Sequence, residues 1–553
     1  YYPMSSTQKR IYLINQIEGN GIAYNIPQYL RLKGDVQVEK IKETVEKLIK
    51  RHEILRTEFD MIDGDLIQRV LETAELEFRV TEDNKRTEGE IFSRFIRPFD
   101  LSKAPLIRVE VIKRKEEYLL LIDMHHIIGD GMSMGTFINE LSLLYNGEEL
   151  EETRQYKDYS EWSRIRDLSP QREYWVNEFA DEIPALDMPV DFVRPKEQSF
   201  DGAMLYGATG KELTEKIKGL SRKTGATAYM ILLSAAMVTL SKYSRQEDIV
   251  IGSPVSARIH KDTEKMLGMF ANTLAMRGKP EGKKRYIDFL QEIKETCLKA
   301  YENQEYPFEE LVEAVDVQRD MSRNPLFDVM LVLQNNEESQ YHLNGIDTEY
   351  VQSEGRMAKF DLTFNITEQD DTINVGLEYC TALYKEESAR GILDHYIKIL
   401  DQVTKDADIQ IEELEIATEE ECGLILGEFN DTKSEYPKDK TVAELFEEQV
   451  DRTPENIALV YEDEEVTYWE FNAKANQLAR RLRELSVGPD DFVAIIAERS
   501  IEMIVGVYGV IKAGGAYVPI DPTYPNERIR YMLEDCRPKA ILLYGAEIET
   551  EIP

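Results

Sequence analysis

One short segment of the chain holds the residue types best suited to catalysis. It consists of His125-His126-Ile127-Ile128-Gly129-Asp130-Gly131, and it contains two of the six histidines in the protein. A neutral imidazole accepts a proton or orients a nucleophile near neutral pH. A carboxylate accepts hydrogen bonds from a turn or pairs with an arginine. The segment therefore indicates proton transfer or nucleophile positioning by histidine.

The elements around this segment must place its side chains. The apolar run from Glu117 to His126 predicts a buried strand, and the residues after Ser133 predict a helix that Ser133 caps and Asn146-Gly147 ends. In a regular strand, alternate side chains point to opposite faces. We therefore expect His126 to share the face of Ile122 and Met124, and His125 to point the other way. One histidine then faces the working cavity and the other is structural.

Other interpretations of the same residues stay open at this point. Two adjacent histidines at a strand end are often both structural, and an aspartate such as Asp130 is often only a turn cap. Gly129 and Gly131 allow a sharp turn, with a positive φ if the turn requires it. A metal site is disfavoured because no cysteine or further histidine lies at ligand spacing.

Composition excludes several classes of function. The 553 residues carry a net charge of −38, from 105 acidic and 67 basic residues, which disfavours binding to a nucleic-acid backbone. The four cysteines are scattered and form no disulfide framework, which favours a reducing, cytoplasmic location. The most apolar stretch, Met230 to Leu240, is shorter than the ~18 residues that span a bilayer, so we expect no membrane partner.

Periodicity predicts mixed α/β layers along the whole chain. A second α/β region begins near residue 170, and an acidic, turn-rich segment near residues 412–440 predicts a linker before a new α/β unit. The clearest predicted helices are Ser5 to Ile14, Val38 to Arg51, Leu213 to Ser244 with a break near Thr224-Gly225, Gly391 to Val403 and Val442 to Val450. The clearest predicted strands are Ile249 to Pro254, Val329 to Gln334, Thr372 to Tyr379 and Ile457 to Tyr461.

The histidine segment resembles the HHxxxDG signature of nonribosomal peptide synthetase condensation domains. Further segments resemble other motifs of this family in the same order: residues 5–12, 51–57, 156–162, 251–258, 267–273, 303–309 and 319–326. Thr7 stands where alanine is common, and Ala257 stands where glycine is common. The ordered set spans residues 1 to 410, and it is far more specific than any single motif.

The end of the chain is similar to the start of an adenylation domain. Residues 467–472 and 512–522 resemble its first motifs, while the phosphate-binding loop rich in Ser, Thr and Gly is absent. We therefore expect an adenylation domain as a partner in the same chain, and no adenylation activity from these 553 residues alone.

The resemblance implies an α/β fold with two chloramphenicol-acetyltransferase-like lobes that form a V-shaped pseudo-dimer around a tunnel. It places the N-lobe at residues 1–170, the C-lobe at 171–411, a linker at 412–440 and a partial α/β adenylation fragment at 441–553.

The implied activity is peptide-bond formation. An upstream carrier domain would bring a peptidyl or acyl thioester, and a downstream carrier domain would bring an aminoacyl thioester, both on 4'-phosphopantetheine arms. The acceptor amine would then attack the donor thioester. No cofactor would be bound by the chain itself.

The resemblance also assigns roles to residues. The candidate catalytic set is His125, His126, Asp130 and Gly131, with His126 acting on the amine and the N–H near Gly131 stabilising the oxyanion. Asp130 would pair with Arg258 from the other lobe, and Arg56 is a weaker structural candidate. The alternatives are an epimerisation domain, which shares the fold and the histidines, and a non-catalytic docking module of the same fold.

Overall fold

The chain forms two compact units in the computed structural model, Tyr1–Glu428 and Phe429–Pro553. The structure describes residues 1–17, 21–183, 185–315, 317, 320–334, 341–351, 357–369 and 371–545. Helices and strands alternate in both units, which confirms the expected mixed α/β class.

The first unit contains twelve α-helices within its described residues. In chain order they are α1 (Ser6–Ile17), α2 (Val38–Arg51), α3 (Glu88–Phe95), α4 (Gly131–Tyr145), α5 (Tyr156–Arg164), α6 (Ser169–Glu178), α7 (Gly210–Thr224), α8 (Ala228–Ser244), α9 (Tyr286–Glu302), α10 (Phe308–Ala314), α11 (Glu386–Lys405) and α12 (Glu419–Leu426).

Fourteen strands accompany these helices in the same described part of the unit. They are β1 (Tyr2–Pro3), β2 (Asn25–Gly34), β3 (Thr57–Ile62), β4 (Asp65–Val70), β5 (Glu77–Glu82), β6 (Ile107–Lys113), β7 (Tyr118–His125), β8 (Gly202–Ala208), β9 (Ile249–Val255), β10 (Asn272–Gly278), β11 (Val329–Gln334), β12 (Ile346–Tyr350), β13 (Leu362–Gln369) and β14 (Thr372–Cys380).

The strands form two large sheets and one small one. The first sheet has the order β12-β2-β7-β6-β5, the second sheet has the order β10-β9-β11-β13-β14-β8, and β1, β4 and β3 form the small sheet. In the first sheet β7 lies between β2 and β6, antiparallel to both. Because β7 is central, all its residues after Tyr118 are buried, which explains its near-continuous apolar sequence.

Segments from late in the sequence complete the first sheet and its core. Strand β12 pairs antiparallel with β2, from Ile346 opposite Gly34 to Tyr350 opposite Leu30. Met266 and Phe270, which precede β10, are buried in the same core as α2 and α4. Residues 171–411, called here the second half of the unit, therefore contribute to the same core as residues 1–170, the first half.

Helix α8 is the central helix behind the second sheet. It is buried on all sides, which matches its run of apolar residues with little amphipathic pattern. Among the described residues no single helix is both long and apolar enough to cross a membrane. Helices α7 and α8 together satisfy that test by length and composition, but they meet at an angle of 106°.

The second unit is smaller. Its helices are α13 (Val442–Arg452), α14 (Tyr468–Glu484), α15 (Ile501–Ala513) and α16 (Asn526–Cys536), and its strands are β15 (Ile457–Tyr461), β16 (Glu464–Thr467), β17 (Phe492–Ala497), β18 (Ala516–Ile520) and β19 (Ala540–Tyr544). The hairpin β15-β16 precedes a parallel sheet with the order β18-β17-β19. Residues 412–440 were expected to form a linker. Helix α12 lies within this range, and it belongs to the first compact unit.

Candidate active site

The two adjacent histidines lie where β7 ends, and they occupy different backbone conformations. His125 is the last residue of the strand, and His126 begins a 3-10 turn that ends at Ile128. The Nδ1 atom of His125 accepts the Ile127 N–H at 3.1 Å, and the His126 N–H donates to the Tyr24 carbonyl at 2.8 Å. The predicted strand, which was expected to include His126, runs one residue too far, because His126 already belongs to the turn.

The two imidazoles differ in exposure. His125 is completely buried, packed edge-on against the Phe99 ring at a centroid distance of 6.0 Å. His126 keeps part of its surface exposed, although its Nδ1 is buried and makes no hydrogen bond to the described residues. His126 is therefore the histidine that a substrate can reach.

Burial keeps both rings neutral. It lowers the pKa of His126 to about 4, helped by the positive charge of Lys359 and opposed by Asp130. It lowers the pKa of His125 to about 3, helped by His126, Lys359 and Arg108. At neutral pH each imidazole therefore has one nitrogen lone pair. That of His125 accepts the Ile127 N–H, whereas His126 can accept a hydrogen bond or a proton from a bound group.

The neutral state of His125 makes stability depend on pH. Its folded pKa of about 3 lies below the ordinary 6.5, so the stabilising contribution is complete above about pH 6.5 and is lost as the pH falls towards 3. Between about pH 7.5 and pH 5 we expect His125 alone to account for a loss of about 2 kcal/mol in the free energy of unfolding. Urea unfolding at the two pH values measures this loss.

The matched comparison uses His125→Gln and, as its control, His260→Gln, since the His260 side chain is 59% exposed. His125→Gln should show a smaller acid-induced loss of stability than the native chain. An identical loss in that variant would show that His125 is not held neutral by burial.

Asp130 caps helix α4 and accepts hydrogen bonds on both carboxylate oxygens. Its Oδ1 accepts from the Ser133 N–H at 2.8 Å and from Arg258 Nη2 at 3.0 Å. Its Oδ2 accepts from the N–H groups of Phe270 at 3.0 Å and Ala271 at 3.2 Å. The prediction that Ser133 caps this helix is wrong, because Asp130 stands at the capping position and Ser133 supplies one of the N–H groups that it binds.

Arg258 is the partner that crosses from the other half of the unit. Both side chains of the ion pair between Asp130 and Arg258 are only 2% exposed. The guanidinium also donates to the carbonyls of Thr263 and Met266, and it lies 4.1 Å from the centroid of the Phe270 ring. These bonds hold the segment between β9 and β10 against the start of α4.

Gly131 is the first residue of α4, next to the cap. Neither Gly129 nor Gly131 has a positive φ, so the conformational freedom expected of them is not used. A Cβ added to Gly131 would meet no atom within 4 Å, so the backbone here borders open space. The first N–H groups of a helix have no partner inside the helix. The N–H of Gly131, the first residue of α4, is one of these groups.

Arg56 is not brought into this cluster. It donates to the carbonyl of Leu71 and lies 3.7 Å from Glu53, and in the described part of the chain it forms no hydrogen bond or ion pair with the histidine segment. Two residues near the histidines, Tyr24 and Lys359, had no signal in the sequence, because each stands in a stretch without a distinctive pattern. Both are brought there by distant parts of the fold.

A cavity of about 430 Å³ borders the ion-pair cluster through Phe270. The start of α1, helices α5 and α6 and the loop after β9 form its walls. The lining contains the aromatic side chains of Tyr159, Trp162 and Tyr306 and charges of both signs, namely Arg164, Arg166, Arg172, Asp167, Glu305 and Glu310. Arg166 forms an ion pair with Glu305.

The family assignment follows from the sequence. The family model described as a condensation domain matches residues 1–426. The chain belongs to the condensation-domain family. A second model, described as an AMP-binding enzyme, matches residues 446–552. The condensation domain therefore contains the complete histidine cluster and its ion pair.

Curated relatives are bacterial peptide synthetases. Over its full length the chain is 47% identical to Gramicidin S synthase 2 of Brevibacillus brevis, and over 99% of its length it is 45% identical to Bacitracin synthase 3 of Bacillus licheniformis. It spans only 13% and 9%, respectively, of the lengths of these relatives.

Solved structures share the fold at lower identity. A crystal structure of a four-domain nonribosomal peptide synthetase bound to AMP and glycine matches 99% of the chain and 44% of its own length, with a TM-score of 0.87 and 22% identity. The X-domain from teicoplanin biosynthesis matches 75% of the chain and 97% of its own length, with a TM-score of 0.69 and 23% identity.

Proposed function

We propose that the condensation domain forms peptide bonds between two thioester-bound substrates. A neutral, partly exposed His126, set at the end of a buried strand beside the Asp130–Arg258 pair, is the observation that carries this proposal. Membership of the condensation-domain family, together with 47% identity to a gramicidin S synthase, supports it.

The chemistry places His126 beside the attacking amine. The amine nitrogen attacks the thioester carbon of the donor, and the C–N bond forms as the N–H proton passes to the imidazole. The C–S bond then breaks, and the thiolate takes the proton from the imidazolium. Proton transfer of this kind contributes about 10²–10⁴-fold to a rate, and positioning of the two reactants contributes at least as much.

The remaining site residues hold this geometry. The N–H of Gly131, at the start of α4, is suited to stabilise the oxyanion of the tetrahedral intermediate. Asp130 and Arg258 fix the start of that helix. His125 supports the turn from behind.

The substrates arrive on partner domains in this proposal. Upstream and downstream carrier domains supply the donor and the acceptor on 4'-phosphopantetheine arms. The AMP-binding match indicates an adenylation domain in the same chain. We also propose a division into lobes at residues 1–170 and 171–411, and a cytoplasmic location, which the four free cysteines support.

A single-turnover assay tests the proposal. The chain is mixed with one carrier domain loaded with an aminoacyl donor and another loaded with an aminoacyl acceptor, and the dipeptidyl thioester is detected by mass spectrometry. We expect the dipeptide on the acceptor carrier only. Inverted stereochemistry without a new bond would favour epimerisation, and carrier binding without any reaction would favour a docking module.

A further inference from the structure

Lys359 reaches the histidine turn from the second half of the first unit. It precedes β13 of the second sheet, and its Nζ lies 4.7 Å from the centroid of the Tyr24 ring. Tyr24 precedes β2 of the first sheet. The contact is a cation–π interaction between the two halves, and an ammonium is attracted to the face of an aromatic ring at this distance.

Tyr24 in turn contacts both histidines. Its carbonyl accepts the His126 N–H at 2.8 Å. Its ring centroid lies 6.4 Å from each imidazole, edge-on to His126 and tilted against His125. A side chain that fixes Tyr24 therefore also fixes the backbone and one neighbouring surface of His126.

The backbone of Lys359 is held in place. Its carbonyl accepts hydrogen bonds from Gln198 Nε2 at 2.8 Å and from Asn324 Nδ2 at 3.0 Å. The preceding residue, Ala358, packs so closely on Gly202 that a Cβ there would come within 2.7 Å of the alanine side chain. The backbone of Lys359 is thus held by the second half of the unit.

The charges around the turn act in opposite directions. Lys359 lowers the pKa of both histidines, Arg108 also lowers that of His125, and Asp130 raises that of His126. Glu378 on β14 faces Lys359, which opposes the rise that burial causes in the pKa of this carboxyl. Lys359 is therefore the charged group from the second half that acts on the His126 ring.

We infer that Lys359 is a positioning residue, which holds the Tyr24 ring from the second half of the unit and, through Tyr24, the surroundings of His126. Its effect on turnover rests on the proposed function. Its effect on His126 does not, because a titration of the imidazole needs no substrate. The effect of Lys359 on the His126 titration can therefore be confirmed even if the proposed function is wrong.

The test compares Lys359→Met, which removes the charge and keeps the length, with Lys359→Arg, which keeps the charge. The ring signals of His126 are followed by NMR against pH in the full chain, with His126→Gln used for assignment. The contacts of 4.7 Å and 6.4 Å through the Tyr24 ring keep the Lys359 ammonium within about 11 Å of the His126 ring. We therefore expect Lys359→Met to raise the proton affinity of His126 about tenfold, since a charge at that distance acts with this strength at an effective dielectric constant of about 20. Lys359→Arg should leave the affinity close to native.

Lys385→Met is the matched control, because Lys385 lies over the Phe192 ring at 5.9 Å in the same kind of contact. It should leave the titration unchanged. If Lys359→Met does not fold, Lys359→Gln gives the same comparison. If the folded Lys359→Met or Lys359→Gln variant shows the same His126 titration as the native chain, the inference is overturned.

In the carrier assay, the acidic limb of the pH–rate profile should move with the His126 titration. A purely structural role of Lys359 would lower the rate without moving that limb.

Discussion

Replacement of His126 by alanine is expected to lower the single-turnover rate of dipeptide formation by about 10²–10⁴-fold, with the fold retained. The imidazole is neutral at neutral pH because burial and Lys359 lower its pKa, so its loss removes the group suited to take the amine proton. The side chain is partly exposed and its Nδ1 binds no described residue, so few native interactions disappear with it.

The measurement needs a rate and a test of folding on the same preparation. Rates come from rapid-quench assays with loaded carrier domains, and thermal unfolding reports the fold. His260→Ala, on a histidine that is 59% exposed, is the matched control and should react at the native rate. A His126→Ala variant that forms the dipeptide at close to the native rate would exclude this imidazole from the reaction.

Breaking the ion pair between Asp130 and Arg258 should have the largest effect on stability. Both side chains are 2% exposed, so removal of one leaves the other charge buried without its partner. Such a loss costs about 3–5 kcal/mol. In Asp130→Ala the N–H groups of Phe270 and Ala271 also lose their acceptor, so we expect this variant to be at least as unstable as Arg258→Ala.

Urea unfolding of the two single variants and the double variant measures the coupling between the residues. The double variant should lose much less than the sum of the two single losses, since each single change already breaks the pair. Lys103→Ala serves as the control, because Lys103 meets Asp100 at 2.7 Å with its side chain 78% exposed, and we expect little change there. Additive losses from Asp130 and Arg258 would show that the pair does not act as a unit.

Local patterns predicted much of the fold. Helix α2 and strands β11 and β15 begin and end at the predicted residues, because their apolar spacing depends only on neighbours in sequence. The break at Thr224-Gly225 is confirmed between α7 and α8, where Gly225 takes a positive φ of 67°. These features need no knowledge of the distant chain.

Features that depend on distant residues were less accessible. The hydrogen bonds that Asp130 accepts from the N–H groups of Phe270 and Ala271 join residues more than a hundred positions apart in the sequence. The conformation of His126 depends on a hydrogen bond to Tyr24, and the charge at its ring comes from Lys359. Only the likeness to a known family linked Asp130 to Arg258, since spacing alone does not identify pairs across such distances.

The pairing of β12 with β2 has a consequence for how this protein can be made and divided. Strand β2 ends at Gly34, yet its outer partner begins only at Ile346. During synthesis the ribosome must add about 300 residues before that edge is covered, and an uncovered strand edge invites pairing with other chains. A piece ending near residue 170 would keep β7 and both histidines but would leave β2 open, and we expect it to aggregate unless β12 is supplied as a peptide.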